Sequence, residues 1–338
     1  MCGIVGAVAE RNVTPILIEG LQRLEYRGYD SAGVALVQAD GEVQRRREVG
    51  KVVNLSNNLD AEPLTGGVGI AHTRWATHGS VQQTNTHPHM SGNDLALVHN
   101  GIIENYITLR EELQSQGYVF ASDTDSEVIV HLIHNCLGEG GLLHAVRRAV
   151  KRLDGAYAIA VCWADEPDRI VAARSGCPLV VGKGIGENFL ASDVLALKAV
   201  TDRFIFLEEG DLVDLRRDRI DIWSIDNEAV LRADVRIEMA KDDFDKGNFR
   251  HYMQKEIFAQ PQVLKETMEG RIGKQTVLEE AFGVGAKDIF DRTQAITIVA
   301  CGTSYYAASV ARYWIEDLVG IPCQVEIASE FRYRKCAV

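Results

Sequence analysis

The order of strand and helix signals along residues 3–215 constrains the fold more than any other feature of the chain. Short apolar or alternating runs of β type come first, at 3–8, 33–37, 68–73 and 95–99. Turn-rich segments such as Ala39-Asp40-Gly41 and Thr65-Gly66-Gly67 separate them. One amphipathic helix interrupts this series. Thr14-Pro15 is its expected cap and first position, Leu17, Leu21 and Leu24 its apolar face, and Gly28 its stop. Helices are then expected at 108–116, at 142–153, and from Thr124-Asp125-Ser126-Glu127 onward, where Ile129, Leu132, Ile133 and Cys136 share a face. Six closely spaced strand-like runs follow, at 157–163, 169–173, 179–181, 188–191, 203–207 and 211–215. A chain with strands, then helices, then strands buries its apolar faces by packing sheets together and covering them with helices.

Near residue 235 the pattern breaks, and the charged stretch Lys241-Asp242-Asp243-Phe244-Asp245-Lys246-Gly247 marks a domain boundary. Helices are expected at 253–269 and 277–290. Residues 295–300 then form a continuous apolar run of the buried parallel-strand type. Cys301-Gly302-Thr303-Ser304, a helix at 305–318 and a strand at 323–327 complete a β-α-β unit.

Composition narrows the class. With 338 residues, 46% hydrophobic and 25% charged, the chain is an ordinary globular sequence with room for two domains. A net charge of −12 argues against a general nucleic-acid or anionic-membrane surface. No apolar run approaches the ~20 residues of a membrane span, and the N-terminus lacks signal-peptide character, so a cytoplasmic protein is expected. Seven cysteines without C-x-x-C spacing, mostly in apolar runs, read as reduced thiols. Five histidines between His72 and His99 lack metal-ligand spacing, so no metal site is assigned.

The N-terminal Met1-Cys2-Gly3 has a small second residue that suits methionine excision. Cys2 would then carry a thiol and a free α-amine on one Cα. Such an amine titrates near pH ~7.7–8.0 and is a ready base for the nucleophile beside it. Cys2 can equally be a small residue entering a buried strand.

Arg74-Trp75-Ala76-Thr77-His78-Gly79 follows a strand and groups a carboxylate-binding guanidinium, a lid-sized aromatic and two polar side chains. His99-Asn100-Gly101 ends another strand. There an asparagine amide and a glycine N–H supply two donors to an oxyanion, or simply make a tight turn. Asp125 is either a helix first-turn acid or the counter-charge of a substrate ammonium. Gly302-Thr303-Ser304 is either a capped β-α turn or a phosphate cradle at a helix N-terminus.

Taken together these motifs, with Arg27-Gly28-Tyr29-Asp30-Ser31-Ala32-Gly33, resemble in order and spacing the class II glutamine amidotransferases. Within them, the chain is similar to the glutamine:fructose-6-phosphate aminotransferase branch. The linker Arg250-His251-Tyr252-Met253-Gln254-Lys255-Glu256-Ile257 and the stretch from Glu326 to Arg334 share the resemblance, although Ala259 stands where an acid is expected.

The resemblance implies an α+β fold: an N-terminal-nucleophile four-layer α-β-β-α sandwich over residues 2–240, the class II glutaminase domain. A helical linker over 241–289 and the beginning of a doubly wound sugar isomerase domain over 290–338 would follow. It implies that Cys2 attacks the glutamine amide while Asn100 and the Gly101 N–H hold the oxyanion. Arg74 and Asp125 would take the substrate's α-carboxylate and α-ammonium, with Thr77 and His78 helping to form the pocket. Trp75 would gate ammonia, and Thr303 and Ser304 would hold a sugar phosphate.

The implied substrates are L-glutamine and D-fructose 6-phosphate, giving D-glucosamine 6-phosphate at the first step of the hexosamine pathway. No cofactor is implied, and a homodimer is expected for the full-length protein. Alternatives are an amidotransferase for phosphoribosyl pyrophosphate or aspartate, and a non-catalytic glutamine-sensing module. Only about 45 residues follow the start of the β-α-β unit, against on the order of 100–150 for a complete doubly wound domain. The chain is therefore expected to be part of a longer gene product, active as a glutaminase only.

Overall fold

The computed structural model describes residues 2–38, 40–76, 80–237, 249–268, 271–272, 276–282 and 285–335. The chain forms two compact units, Met1–Phe244 and Asp245–Val338. The stretch 241–247, read above as the domain boundary, lies outside the described residues, as do Met1, Thr77, His78 and Cys336.

The first unit opens with β1 (Gly3–Val8), α1 (Thr14–Leu24), β2 (Ser31–Val37), β3 (Val43–Val49), α2 (Val52–Ala61) and β4 (Val68–Arg74). It continues with β5 (His89–Ser91), β6 (Leu95–Ile103) and the helices α3 (Tyr106–Ser115), α4 (Asp125–Asn135) and α5 (Gly141–Val150). Next come β7 (Gly155–Trp163), β8 (Glu166–Ser175), β9 (Val180–Lys183) and β10 (Asn188–Ala191). The last strands are β11 (Arg203–Phe206), β12 (Leu212–Arg216), β13 (Ile220–Trp223) and β14 (Asp234–Arg236). Antiparallel pairing gathers them into an eight-stranded sheet, β14-β11-β9-β10-β1-β4-β2-β3, and a six-stranded sheet, β13-β12-β8-β7-β6-β5.

The two-residue period of each strand assigns its side chains to layers. In β1, Ile4 and Val8 pack between the sheets with Ala96 and Val98 of β6 and Ala158 and Ala160 of β7. The alternate residues Val5 and Ala7 face Leu17 and Leu21 of α1. In the other sheet, Leu95, Leu97, Ile159 and Val161 turn outward onto Ile129, Leu132 and Ile133 of α4 and Val146 of α5. The result is the expected α-β-β-α sandwich. Each fully buried leucine or isoleucine contributes about 1.5–3 kcal/mol, and these alternating sets are what hold the four layers in order.

Several expectations are corrected. Thr14 does not cap α1: it lies inside the helix, Val13 holds the cap position, and the Thr14 hydroxyl donates to Leu64 O at 2.6 Å. Gly28 does close the helical stretch, but through a 3₁₀ turn: α1 ends at Leu24 and tightens into Glu25–Arg27, whose C-cap is Gly28 with its N–H donating to Glu25 O. The strand through His99 does not end in an Asn-Gly turn. β6 runs on to Ile103, with Asn100 opposite Ala158 and Gly101 opposite Tyr157 of β7.

β3 and α2 were not anticipated. β3, Val43-Gln44-Arg45-Arg46-Arg47-Glu48-Val49, reads as a polar surface. As an edge strand it instead lays its arginine stems along the sheet, and Arg45 and Arg47 donate to the carbonyls of Pro88 (3.1 Å) and Thr86 (2.9 Å). α2 carries a helical signal in Val52, Leu55 and Leu59, all buried, and its first N–H is met from afar by the Glu25 carboxylate at 2.8 Å.

The second unit holds α6 (Tyr252–Met268), a 3₁₀ turn (Glu279–Phe282), α7 (Ala286–Arg292), β15 (Ile296–Ala300), α8 (Gly302–Leu318), β16 (Cys323–Ile327) and α9 (Ala328–Tyr333). The single helix expected over 277–290 is replaced by the 3₁₀ turn and α7, whose cap Gly285 takes the left-handed conformation at φ +81°. β15 and β16 pair in parallel, from Ile296 with Cys323 to Ala300 with Ile327. β15 is only partly covered, with Val299 42% exposed. No helix among the described residues is long and apolar enough to cross a membrane.

Candidate active site

The parity that builds the inter-sheet core also builds the site at its rim. Along β4, Val68 and Ile70 face the space between the sheets, so His72 and Arg74 continue the same row. Along β6, Ala96 and Val98 do likewise, and Asn100 continues theirs. Cys2 precedes Ile4 by two residues and stands at the head of the corresponding row on β1. The apolar rows end in polar residues at one end of the sandwich.

Asn100 Nδ2 donates to the Cys2 carbonyl oxygen at 3.2 Å, and its Oδ1 lies 3.0 Å from His72 Nε2. The Cys2 Sγ accepts from the Trp75 N–H at 3.2 Å and donates to the Trp75 carbonyl at 3.5 Å. Burial pushes the Cys2 thiol above its ordinary range. The Trp75 N–H and the Arg74 guanidinium pull it down, and Asp125 pushes it up. Both charged side chains are therefore close enough for the sulfur to feel them.

Arg74 is buried, at 4% exposure, and donates from Nη1 to Ser80 O at 3.2 Å. Desolvation lowers its pKa, against the support of Cys2, Asp30 and Asp125. The Asp125 carboxylate is also buried. It accepts the Ile103 N–H at 2.9 Å and the Ser126 hydroxyl at 3.3 Å, which ties the start of α4 to the end of β6. Thr124 caps that helix, its Oγ1 accepting the Glu127 N–H at 3.4 Å.

Gly101 adopts φ +136°, and a Cβ at this position would lie 1.9 Å from the Ala156 carbonyl oxygen. Only glycine lets the strand pass here. Trp75 is 43% exposed and meets Tyr29 edge-on, with ring centroids 5.6 Å apart.

The structure thus brings Cys2, Arg74, Trp75, Asn100 and Asp125 together, with Gly101 next in the strand. Thr77 and His78 lie outside the described residues. Thr303 and Ser304 belong to the second unit. They sit inside the first turn of α8 instead of between strand and helix, with Cys301 at the cap position and no side-chain cap bond.

Two residues of the neighbourhood, Asp30 and His72, had no role at the site in the sequence reading. Asp30 accepts the Ala76 N–H at 2.9 Å and donates its own N–H to Arg74 O at 3.1 Å, holding the segment after β4. His72 contacts Asn100 directly, and its place two residues before Arg74 on an alternating strand was a usable signal. The histidines weighed for a metal pack against one another instead: the rings of His72 and His87 stack at 4.0 Å, and those of His87 and His89 meet at 4.6 Å. No group of three or more metal-ligating side chains converges among the described residues.

Residues 72–199 match the family described as glutamine amidotransferase domain. The whole chain is 61% identical to the glutamine--fructose-6-phosphate aminotransferase [isomerizing] of Pseudomonas putida and covers 56% of that protein. It is 57% identical to the protein of the same name from Haemophilus influenzae, across 99% of this chain and 55% of the relative. The chain spans little more than half the length of these curated relatives. A solved structure described as the allosteric regulatory enzyme of purine biosynthesis superposes with a TM-score of 0.59 at 26% identity, over 66% of this chain and 49% of that one. The glutamine phosphoribosylpyrophosphate amidotransferase of B. subtilis has a TM-score of 0.56 at 21% identity, over 96% and 65%, and shares the fold.

Proposed function

We propose that the chain, as a class II glutamine amidotransferase, hydrolyses L-glutamine at Cys2 and supplies ammonia for the conversion of D-fructose 6-phosphate to D-glucosamine 6-phosphate, these 338 residues acting as the glutaminase. The observation that carries the reading is the contact of the Cys2 residue with the Asn100 amide, inside a ring of one buried cation, Arg74, and one buried anion, Asp125. Glutamine has one amide, one carboxylate and one ammonium, and this ring has a partner for each.

In the proposed sequence, the Cys2 sulfur attacks the γ-carboxamide carbon. Charge develops on the amide oxygen, which takes hydrogen bonds from Asn100 Nδ2 and the Gly101 N–H. With Met1 removed, the Cys2 α-amine takes the thiol proton and gives it to the leaving nitrogen. The C–N bond breaks, ammonia departs, and a γ-glutamyl thioester remains. Water then attacks this thioester, releasing glutamate and restoring the thiol. Because burial raises the thiol's pKa, a base at the sulfur is needed at neutral pH.

Arg74 and Asp125 orient the substrate, Thr77 and His78 complete the pocket, and Trp75 gates the ammonia. Thr303 and Ser304 at the start of α8 take the sugar phosphate. The protein is proposed to act in the cytoplasm as a homodimer, with residues 2–240 as its glutaminase domain.

The test supplies purified protein, its N-terminus checked by intact mass, with glutamine and fructose 6-phosphate, and measures glutamate and amino sugar separately. Glutamate release that needs Cys2 supports the amidotransferase reading, and glutamate with little amino sugar is the outcome expected of these residues by themselves; amino sugar at a rate comparable with glutamate contradicts their action as a glutaminase only. Failure of a protein lacking Met1 to release glutamate overturns the reading.

A further inference from the structure

His72 stands out as a fully buried imidazole at the polar end of an inter-sheet layer whose core is mostly alanine, valine, isoleucine and leucine. Its Nε2 lies 3.0 Å from the carbonyl oxygen of His99 and 3.0 Å from Asn100 Oδ1. A carbonyl oxygen only accepts, so the hydrogen is on Nε2, and the Asn100 atom facing that hydrogen must be the amide oxygen. Nδ2 is consequently turned toward Cys2, whose carbonyl accepts from it at 3.2 Å. In a flipped amide, the NH₂ would face the Nε2–H and the oxygen would face the Cys2 carbonyl, two repulsive contacts among buried groups. Burial lowers the His72 pKa to about 3, so the ring is neutral and has a single hydrogen to place.

The ring itself is held. It stacks on His87 at 4.0 Å and 23°, and His87 Nδ1 accepts the His99 N–H at 3.3 Å. On β4, His72 lies opposite Ile4 of β1 and Gly33 of β2, and its buried Nδ1 has no hydrogen-bond partner among the described residues. A leucine would fill the same space without that polar cost. What the imidazole adds at this position is the Nε2 hydrogen.

We propose that His72 is a positioning residue for amide hydrolysis, holding the Asn100 amide through Nε2–H···Oδ1 in the one orientation that presents Nδ2 to the reacting centre. One Nδ2 hydrogen is committed to the Cys2 carbonyl, which leaves the other for the oxyanion. The donor is thereby oriented before substrate arrives, as preorganised electrostatic stabilisation requires. This inference rests on the reading of Asn100 as an oxyanion donor.

The experiment measures glutaminase kinetics and thermal unfolding for His72→Met, His72→Gln, Asn100→Ala and the double variant His72→Met with Asn100→Ala. Met and Gln have similar length and shape, but only Gln presents an N–H near the Nε2 position. The expected result is a kcat roughly tenfold lower in His72→Met, with KM within about twofold, and most of the loss recovered in His72→Gln. Asn100→Ala should cost about 10²–10³ in kcat, and adding His72→Met should lower it no further, because His72 acts through Asn100.

Additive losses in the double variant, or equal losses in the Met and Gln variants, overturn the proposal. If Asn100→Ala slows turnover and His72→Met does not, only the role of His72 falls. If Asn100→Ala leaves kcat unchanged, the oxyanion reading falls, and this proposal with it. Should His72→Met fail to fold, His72→Leu replaces it in the same comparison with His72→Gln.

Discussion

Asn100 Nδ2 and the Cys2 carbonyl oxygen, 98 positions apart in sequence, are joined by a hydrogen bond of 3.2 Å between the rims of two different sheets. That bond sets the side-chain amide beside the thiol, while the buried charges of Arg74 and Asp125 lie near enough to bias the sulfur in opposite directions.

Those neighbours predict separable kinetic defects. Arg74→Ala removes a ground-state partner of the substrate carboxylate, so KM for glutamine should rise at least tenfold with a smaller change in kcat. Asn100→Ala should lower kcat by about 10²–10³ with little change in KM, since an oxyanion donor acts chiefly in the transition state. Steady-state glutamate release separates them, and a raised KM alone in the Asn100 variant contradicts its assignment.

A form that keeps Met1, or carries an extra residue before Cys2, should retain the fold and lose glutaminase activity, because the base is no longer on the nucleophile's Cα. The thiol has its own signature. Its pKa is raised by burial, so iodoacetamide alkylation of Cys2 should be slow at pH 7 and climb beyond the range of an ordinary cysteine. Arg74 draws that pKa down, so Arg74→Ala should move the inflection to higher pH. Mass spectrometry of the labelled protein reads both.

Gly101→Ala should destabilise the first unit by about 3 kcal/mol or more, as a left-handed backbone and a clash with the Ala156 carbonyl act together. Chemical denaturation gives the value. An unchanged unfolding midpoint would show that β6 and β7 separate here at little cost.

Glu127 predicts an acid-side effect. Burial pushes its carboxyl up, but the His131 ring 3.8 Å away and hydrogen bonds from the N–H groups of Ala121 and Ser122 and the Ser122 hydroxyl outweigh it and hold the pKa at about 2. An unfolded glutamate titrates near ~4.3, so the stabilisation is complete above about pH 5 and is lost as pH falls toward 2. Glu127→Gln should therefore cost about 1–3 kcal/mol at pH 7, and the gap from the parent protein should close in acid. Thermal melts from pH 7 to 2 measure it.

The alternation of β1, β4 and β6 and the helical spacing of α1 and α4 are local properties, and each was legible from residue order. So was the packing of sheets covered by helices, because two-sided strands with one-sided helices have few ways to bury their apolar faces; the four-layer order was what the resemblance implied. The polar residues Cys2, Arg74, Asn100 and Asp125 were legible as candidates, with a bland alternative standing beside Cys2, Asn100 and Asp125.

What the sequence determined by itself was which face of a strand a side chain occupies, because that parity needs only its neighbours two residues away. Only the tertiary structure decided which strands lie face to face. The arginine-rich β3 joined an edge because its guanidiniums found the Pro88 and Thr86 carbonyls, partners no local pattern announces. Asn100 remained in a strand because Gly101 could take a backbone conformation that admits the Ala156 carbonyl. The orientation of its amide was decided by His72, whose strand lies in the opposite sheet, since a hydrogen bond between distant residues exists only once the chain has brought donor and acceptor within 3.0 Å.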